Sequence, residues 1–307
     1  MNANQQLSHV VNLLRAWRAG LTPADQVLSS YLARHRELAS RPRRMIGDTF
    51  FAFLRLMRRI DRALDSALED CPIRDDIGRA TAFPCDLPPN DRVWAMPKSQ
   101  PPRRSPADDW IDVARAAFAA NAVEPGRLKD CVPLLVSTWP VKTRNHGPEW
   151  LERTLSRAQE WMVDYASGTT PTKLALRASM PDWLWAQVGY GLAPKELPDF
   201  ADSLVQAASP VIRVPGGPGA LAKAREALAA AGVEATPGTL AKAALVLSAR
   251  LPRGGVPGLA EGEFEYQDEG SQFLVDVLAP KPGEVVVDAC AGGGGKTGGS
   301  GPAARRR

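Results

Sequence analysis

The pattern of apolar residues changes near residue 210, and this change limits the folds open to the chain more than any other feature. Before it, apolar residues recur at spacings of three and four, as on one face of a helix. After it, short β-type runs such as VIRV (211–214) alternate with a helical stretch around 221–231. The sequence therefore predicts a helical N-terminal region followed by a smaller α/β region.

The clearest helix is predicted between residues 46 and 68. Its apolar stripe consists of Ile46, Phe50, Phe53, Leu54, Met57, Ile60, Leu64 and Leu68. Four arginines lie mostly off that stripe, namely Arg55, Arg58, Arg59 and Arg62. Two interpretations of this basic face stay open. It is either the polar face of a core helix or a surface that contacts RNA phosphates.

Other elements follow from local signals. Thr22 followed by Pro23 predicts an N-cap and the first position of an early helix. A helix is predicted over 148–166 and another over 267–278. Strands are predicted at 233–236, at 243–248 and at VVVD (285–288).

Charge is concentrated at the N-terminal end. Residues 1–60 hold ten arginines and three acidic residues, a local balance of +7, so the other 247 residues sum to −3 within the net charge of +4. Such a segment is compatible with a phosphate-rich partner. Solvated helix faces would account for the same charge.

The cysteines and the apolar runs exclude other classes. No two of Cys71, Cys85, Cys131 and Cys290 lie within four residues, so no zinc spacing is present and no metal is expected. No apolar run approaches the roughly 18–20 residues of a membrane helix. The N-terminus does not have the pattern of a signal peptide. We therefore expect a cytoplasmic monomer with no membrane partner.

The segment VVVD followed by AGGGG has the order strand, acid, glycine-rich turn, which is typical of nucleotide-type sites. Glycines let backbone N–H groups approach a ligand closely. GGGGKT is also open to interpretation as a nucleotide-binding P-loop. That motif needs glycine at position 290, where this chain has Cys290. The residues after Lys296 do not begin a helix, so a P-loop remains the weakest alternative.

The longer segment 261–297 resembles the RsmB/Sun family of bacterial ribosomal RNA cytosine-5 methyltransferases. That family has F-x-x-Q-D-x-x-S-Q followed by PGE-x-V-x-D-x-C-A-A-P-G-G-K-T. Here the first motif reads Phe264, Gln267, Asp268, Ser271 and Gln272, and the second reads Asp288, Cys290, Ala291, Gly292 to Gly295, Lys296 and Thr297. Gly292 and Gly293 replace the usual Ala-Pro.

The resemblance implies a cofactor, a substrate and a set of site residues. S-adenosyl-L-methionine would bind the loop made of Cys290, Ala291, Gly292, Gly293, Gly294, Gly295 and Lys296. The substrate would be 16S ribosomal RNA, methylated at carbon 5 of cytosine. The family's nucleophilic cysteine lies in later strands and is absent from this chain, so no catalytic residue is assigned.

The resemblance also implies a domain order. Residues 1–140 look like a helical NusB-like RNA-binding domain, and 141–260 like a helical linker with a small α/β RNA-binding unit. Residues 261–297 would begin a Rossmann-like methyltransferase domain, of which only the first strand and loop are present, and 298–307 would be disordered. Within the α/β unit, Arg213-Val214-Pro215 stands where the family has Arg-Val-Asn.

Only 19 residues follow Asp288, whereas a βαβ unit takes roughly 30. We therefore expect a truncated methyltransferase of the α plus α/β class, inactive as written. The alternative is a stand-alone RNA-binding or assembly module without catalysis.

Overall fold

The structure is a computed structural model, and its described residues are 2–20, 22–71, 73, 106–141, 145–249, 251, 258–259, 262–281, 283–289, 291 and 294–299. The chain forms two compact units, Met1–Gln206 and Ala207–Arg307. The sequence places boundaries after residues 140, 260 and 297, so the division at 206 differs from all three.

Helices account for most of the described part of the first unit. They are α1 (Ala3–Arg18), α2 (Ala24–Arg34), α3 (Ser40–Ala67), α4 (Pro106–Val123), α5 (Arg127–Ser137), α6 (Pro148–Ser167), α7 (Pro171–Arg177), α8 (Asp182–Val188) and α9 (Leu197–Val205). A capping box starts α1, in which Asn2 Oδ1 accepts a hydrogen bond from Gln5 N at 2.9 Å and Gln5 Oε1 accepts one from Asn2 N at 3.1 Å.

The predicted stripe on α3 forms the centre of the first unit. Six of its members are buried, namely Ile46, Phe50, Phe53, Ile60, Leu64 and Leu68, while Leu54 and Met57 are partly buried against them. The same core contains Leu13 of α1, Trp110 of α4 and Leu135 of α5. Leu151 and Leu155 of α6 also belong to it, which is why the first unit continues past residue 140.

The core of the first unit contains a buried group of charges. Arg115 on α4 is 1% exposed, and its Nε donates to Asp61 Oδ1 at 2.7 Å. Its Nη1 lies 3.5 Å from Asp112 Oδ1, which also accepts from Arg18 Nη1 of α1 at 3.0 Å. Burial by itself lowers the pKa of Arg115, but the carboxylates of Asp61 and Asp112 outweigh it and raise the pKa. The charges therefore join α1, α3 and α4.

The second unit is built on a small antiparallel sheet. Its strands β1 (Val211–Arg213), β2 (Ala235–Pro237), β3 (Ala244–Leu247) and β4 (Glu265–Tyr266) lie in the order β2-β3-β1-β4. Ile212 lies opposite Leu245 on one side and Tyr266 on the other. Helix α10 (Pro218–Ala230) contributes Leu228 to the core of this unit, where Phe264 is also buried.

The predicted strand at 285–288 is wrong for the described residues. Residues 284–288 form no strand, and none of the described strands pairs with them. The side chains of Val285 and Val287 are 91% and 83% exposed. A strand exists through its hydrogen-bonded neighbours, and valine content alone does not supply them.

Two other expectations at helix and strand ends are corrected. Thr22 does not cap α2, because the helix begins after Pro23 and no side chain makes the capping hydrogen bond. The strand predicted at 233–236 lies at 235–237, where it pairs with β3. No helix in the described part of the chain is long and apolar enough to cross a membrane.

We predict that Arg115→Leu lowers the free energy of unfolding of the first unit by about 3–5 kcal/mol, because it leaves two buried carboxylates facing an apolar side chain. Urea unfolding followed by circular dichroism measures this. Arg153→Leu, at an exposed position of α6, is the matched control and should change stability by less than about 0.5 kcal/mol. Equal effects of the two variants would contradict the role given to the buried charges.

Candidate functional site

The first family-like motif forms the junction between β4 and the helix α11 (Glu269–Leu278). Asp268 is the N-cap of this helix, and its Oδ2 accepts a hydrogen bond from Gly270 N at 3.1 Å. Glu269 Oε1 accepts hydrogen bonds from the backbone N–H groups of Leu240 and Ala241, which lower the pKa of this carboxyl group. The junction is thus held by carboxylates that accept from backbone donors.

Two buried glutamines join this junction to the centre of the sheet. Gln272 Nε2 donates to Gln267 O at 3.0 Å and to Ile212 O at 3.4 Å. Gln267 N donates to Val211 O at 3.1 Å. The start of α11 is therefore fixed to β1 by side-chain and backbone hydrogen bonds together.

The side chain of Gln267 also reaches the glycine-rich loop. Its Nε2 donates to Gly295 O at 2.9 Å. Its Oε1 is buried and accepts no hydrogen bond from the described residues. Because a buried acceptor without a partner costs free energy, this oxygen fits a site that a ligand donor completes.

The described part of the loop forms a turn before a short helix, α12 (Gly295–Gly299), where the sequence predicted no helix. Gly294 has φ +83°, a value that favours glycine, and its N–H donates to Ala291 O at 2.8 Å. Thr297 Oγ1 donates to Asp288 Oδ2 at 2.8 Å. At the start of a helix, N–H groups have no partner within the helix and are available to a polar ligand.

Four of the seven predicted cofactor residues lie together in this turn, namely Ala291, Gly294, Gly295 and Lys296. The other three, Cys290, Gly292 and Gly293, lie outside the described residues. Sequence reasoning named Gln267 and Gln272 as parts of a motif but did not make them site residues. The available signal was their spacing, because Gln267 precedes α11 and Gln272, five residues later, lies near the start of that helix.

Arg213, the first residue of the Arg-Val-Pro segment, is engaged within the sheet. Its Nε and Nη2 donate to Glu265 Oε1 at 3.0 and 2.5 Å. The two residues lie opposite each other on β1 and β4. Arg213 therefore stabilises the pairing of these strands, and Val214 beside it is buried.

Two arginines of the basic face of α3 are engaged within the first unit, whereas Arg62 on the same face is exposed. Arg58 donates to Met180 O and to Asp182 Oδ1, the latter at 3.0 Å. Arg59 donates to Leu176 O at 3.4 Å and to Arg177 O. These two arginines join α3 to the segment from α7 to α8, which favours the interpretation of this part of the face as the polar side of a core helix.

The two described cysteines are buried free thiols. Burial raises the pKa of the Cys131 thiol to about 11 and also raises the pKa of Cys71. Cys85 and Cys290 lie outside the described residues. Among the residues that the structure describes, no group of three or more His, Cys, Asp or Glu side chains could hold a metal ion.

Comparisons with known proteins add the following. No family model matches the chain. Ribosomal RNA small subunit methyltransferase B of Pseudomonas syringae pv. tomato is 42% identical over 72 residues, which are 24% of this chain and 16% of that protein. The probable ribosomal RNA small subunit methyltransferase B of Bacillus subtilis is 33% identical over 131 residues, which are 41% of this chain and 28% of that protein.

These matches confirm the resemblance to ribosomal RNA small subunit methyltransferase B, although they span about a sixth and just over a quarter of those two relatives. A crystal structure of PH0851 aligns with 96% of this chain and 59% of its own, with a TM-score of 0.55 and 18% identity. At that identity the similarity concerns the fold alone.

We predict that Gln267→Ala loosens the glycine-rich loop, because it removes the hydrogen bond to Gly295 O. Hydrogen exchange of peptides covering 284–299 should become about five-fold faster, as expected for one hydrogen bond worth about 1 kcal/mol. Gln159→Ala, at an exposed position of α6, removes the same carboxamide and should leave this exchange unchanged. Unchanged exchange in Gln267→Ala would mean that the loop does not depend on this anchor.

We predict that Cys131 resists alkylation in the folded protein. With a pKa of about 11, roughly one thiol in a thousand is ionised at pH 8, and its side chain is buried. Labelling should rise as the pH approaches that pKa or when urea unfolds the chain. Ser156→Cys places a thiol at an exposed position of α6 and should be labelled at once. Equal labelling of both sites in the folded state, measured by peptide mass mapping, would contradict the burial of Cys131.

Proposed function

We propose that this chain is part of an S-adenosylmethionine-dependent methyltransferase of small-subunit ribosomal RNA. The observation that carries the proposal is the similarity to curated ribosomal RNA small subunit methyltransferase B proteins. The hydrogen bond from Gln267 to Gly295 supports it, since it links the two motifs that carry the resemblance. In this proposal the chain acts in the cytoplasm as a monomer, with ribosomal RNA as its partner.

The proposed domain order follows the resemblance. Residues 1–140 would form a NusB-like RNA-binding domain, and 141–260 a helical linker with a small α/β RNA-binding unit. Residues 261–297 would open the methyltransferase domain. The tail 298–307, expected to be disordered, lies mostly outside the described residues. The helical first unit and the sheet of the second unit, each with its own core, support this order.

The proposed cofactor loop consists of residues 290–296. S-adenosylmethionine, when bound, supplies a methyl group on a positively charged sulfur. The turn at Gly294 would bring the backbone N–H of Gly295 close to a polar part of the ligand. Gln267 would hold the loop through Gly295 O while its unpartnered Oε1 accepts a further hydrogen bond.

The proposed target is carbon 5 of cytosine, as the resemblance implies. That chemistry needs a cysteine thiolate that adds to carbon 6 of the base. Cys71 and Cys131 are buried and have raised pKa values, which disfavours the thiolate. The family's catalytic cysteines belong to strands that the resemblance does not reach. We therefore expect these 307 residues alone to transfer no methyl group.

The second candidate function is a stand-alone RNA-binding or assembly module. The cores of the two units favour it, because neither core includes a described residue of the glycine-rich loop. The two candidates differ in whether the glycine-rich loop binds a ligand.

Ligand binding is best tested by nuclear magnetic resonance of the chain labelled with ¹⁵N-glycine. We predict that millimolar S-adenosylmethionine shifts the signals of Gly294 and Gly295, and that Gly294→Val abolishes the shifts because the left-handed turn is lost. Gly191→Val is the control, since Gly191 also has a positive φ and an open surrounding. The absence of shifts in the parent chain would favour the RNA-binding module. Shifts caused by ATP and lost in Lys296→Ala would instead favour a nucleotide site.

RNA binding and catalysis are tested on the same protein. Small-subunit ribosomal RNA should bind with an affinity that falls as salt rises. Tritiated S-adenosylmethionine should leave no label in that RNA. Label in cytosine would refute the expected inactivity, and absence of RNA binding would refute both candidate functions.

A further inference from the structure

The arginines of residues 1–60 form several groups with different surroundings, and one of these groups is exposed to solvent. The exposed group lies in the α2–α3 corner, which we define as residues 34–44, from the end of α2 to the first turns of α3. This segment contains five arginines and one acidic residue, a local charge of +4 with histidine neutral.

Most of the other N-terminal arginines serve the fold. Arg15 and Arg18 of α1 form ion pairs with Asp109 and Asp112 at 2.8 and 3.0 Å. Arg58 and Arg59 of α3 bind carbonyl groups between residues 176 and 180, as described above. These side chains cannot turn towards a phosphate without giving up the contacts that hold the helices together.

One arginine gives the corner its shape. Arg43 Nη1 donates to His35 O at 3.0 Å, and Arg43 Nη2 donates to Leu32 O. The first turn of α3 is therefore tied to the last turn of α2. The ring of His35 lies 4.4 Å from that of Tyr31, whose hydroxyl is 2.8 Å from His9 Nδ1 on α1.

Four exposed arginines lie on the corner that Arg43 holds in place: Arg34, Arg36, Arg41 and Arg44. Within the described residues, Arg34 and Arg36 bond to backbone carbonyls through Nε, at 3.3 and 3.4 Å. Arg44 lies 3.6 Å from Asp48, a pair in which both side chains are largely exposed and which therefore contributes little stability. Exposed guanidinium groups on a backbone that hydrogen bonds hold in place suit a partner with many regularly placed anions.

The acidic residues near the corner do not cancel this charge. Glu37 is bound to the ring of His35, with 2.9 Å between His35 Nδ1 and Glu37 Oε1. The first turn of α3 carries no acidic residue, and no side chain caps its N-terminus. The side chains thus give the corner a positive field, to which the N-terminus of α3 adds, while Arg43 binds two carbonyl groups at the C-terminal end of α2.

We propose that the α2–α3 corner binds the phosphate backbone of the RNA. A guanidinium group matches a phosphate through two parallel hydrogen bonds, and a row of them binds a nucleic-acid backbone without reading its sequence. This inference rests on the proposed RNA-binding function and specifies which surface carries it.

The experiment compares two four-site variants of the full chain. The corner variant combines Arg34→Gln, Arg36→Gln, Arg41→Gln and Arg44→Gln. The control variant combines Lys129→Gln, Arg153→Gln, Arg157→Gln and Lys195→Gln, which are exposed positions elsewhere in the first unit. Both lose four positive charges, so a difference between them reports position and not net charge. Circular dichroism and thermal unfolding verify that both fold like the parent.

Binding to small-subunit ribosomal RNA is measured over a range of salt concentrations. The corner variant should bind at least ten-fold more weakly, and the slope of log K against log salt should fall by about 3 units, as expected for four lost contacts to single-stranded phosphates. The control variant should lose less than three-fold. Polyglutamate should compete poorly with RNA for the parent chain.

The outcomes separate this inference from the function on which it rests. If the parent binds RNA and both variants lose affinity equally, the corner is not the binding surface although the proposed RNA binding holds. Polyglutamate that competes as well as RNA would make the corner a general anion site and overturn the choice of RNA. If the parent binds no RNA, the proposed function and this inference both fail.

Discussion

A charged guanidinium group can be buried only where acceptors inside the protein replace its hydrogen bonds to water. This constraint determines how the helices of the first unit pack. Arg115 is buried between Asp61 and Asp112, and Arg59 reaches the carbonyl groups at the end of α7. Each of these contacts fixes one helix against another. The same requirement separates arginines that hold the fold from those left at the surface for a partner.

The candidate site depends on a further kind of contact, in which the neutral carboxamides of two glutamines bind backbone groups beside the carboxylates of Asp268 and Glu269. Gln272 binds the backbone of β1 and of the junction, and Gln267 extends that connection to Gly295. A loop rich in glycine has little conformational preference of its own, so its position must come from outside the loop. Buried glutamines can supply that position because each carries both donors and an acceptor.

The sequence predicted those parts of the fold that follow from local patterns. The stripe from Ile46 to Leu68 repeats at helical spacing, and α3 buries most of it. The strand at 211–213 and the helix at 269–278 were expected for similar reasons. The strand prediction at 285–288 was wrong because three valines form a strand only where a neighbouring strand pairs with them. The two interpretations of Arg58 and Arg59 could not be separated from the sequence, because their acceptors lie about 120 residues away and no local pattern indicates them. In the site, the glycine turn was readable from its motif, whereas the anchoring by Gln267 required the tertiary structure.

The buried charges also bear on how the first unit reaches its native state. Helical proteins usually fold fast because their contacts join residues close in the chain. Here Arg18 and Asp112 are 94 positions apart, and Arg115 and Asp61 are 54 apart. Closing such loops lowers the entropy of the chain before the contacts that they allow can stabilise the fold. The rate at which this unit folds should therefore be set by the meeting of α1 with α4, and not by the formation of the individual helices.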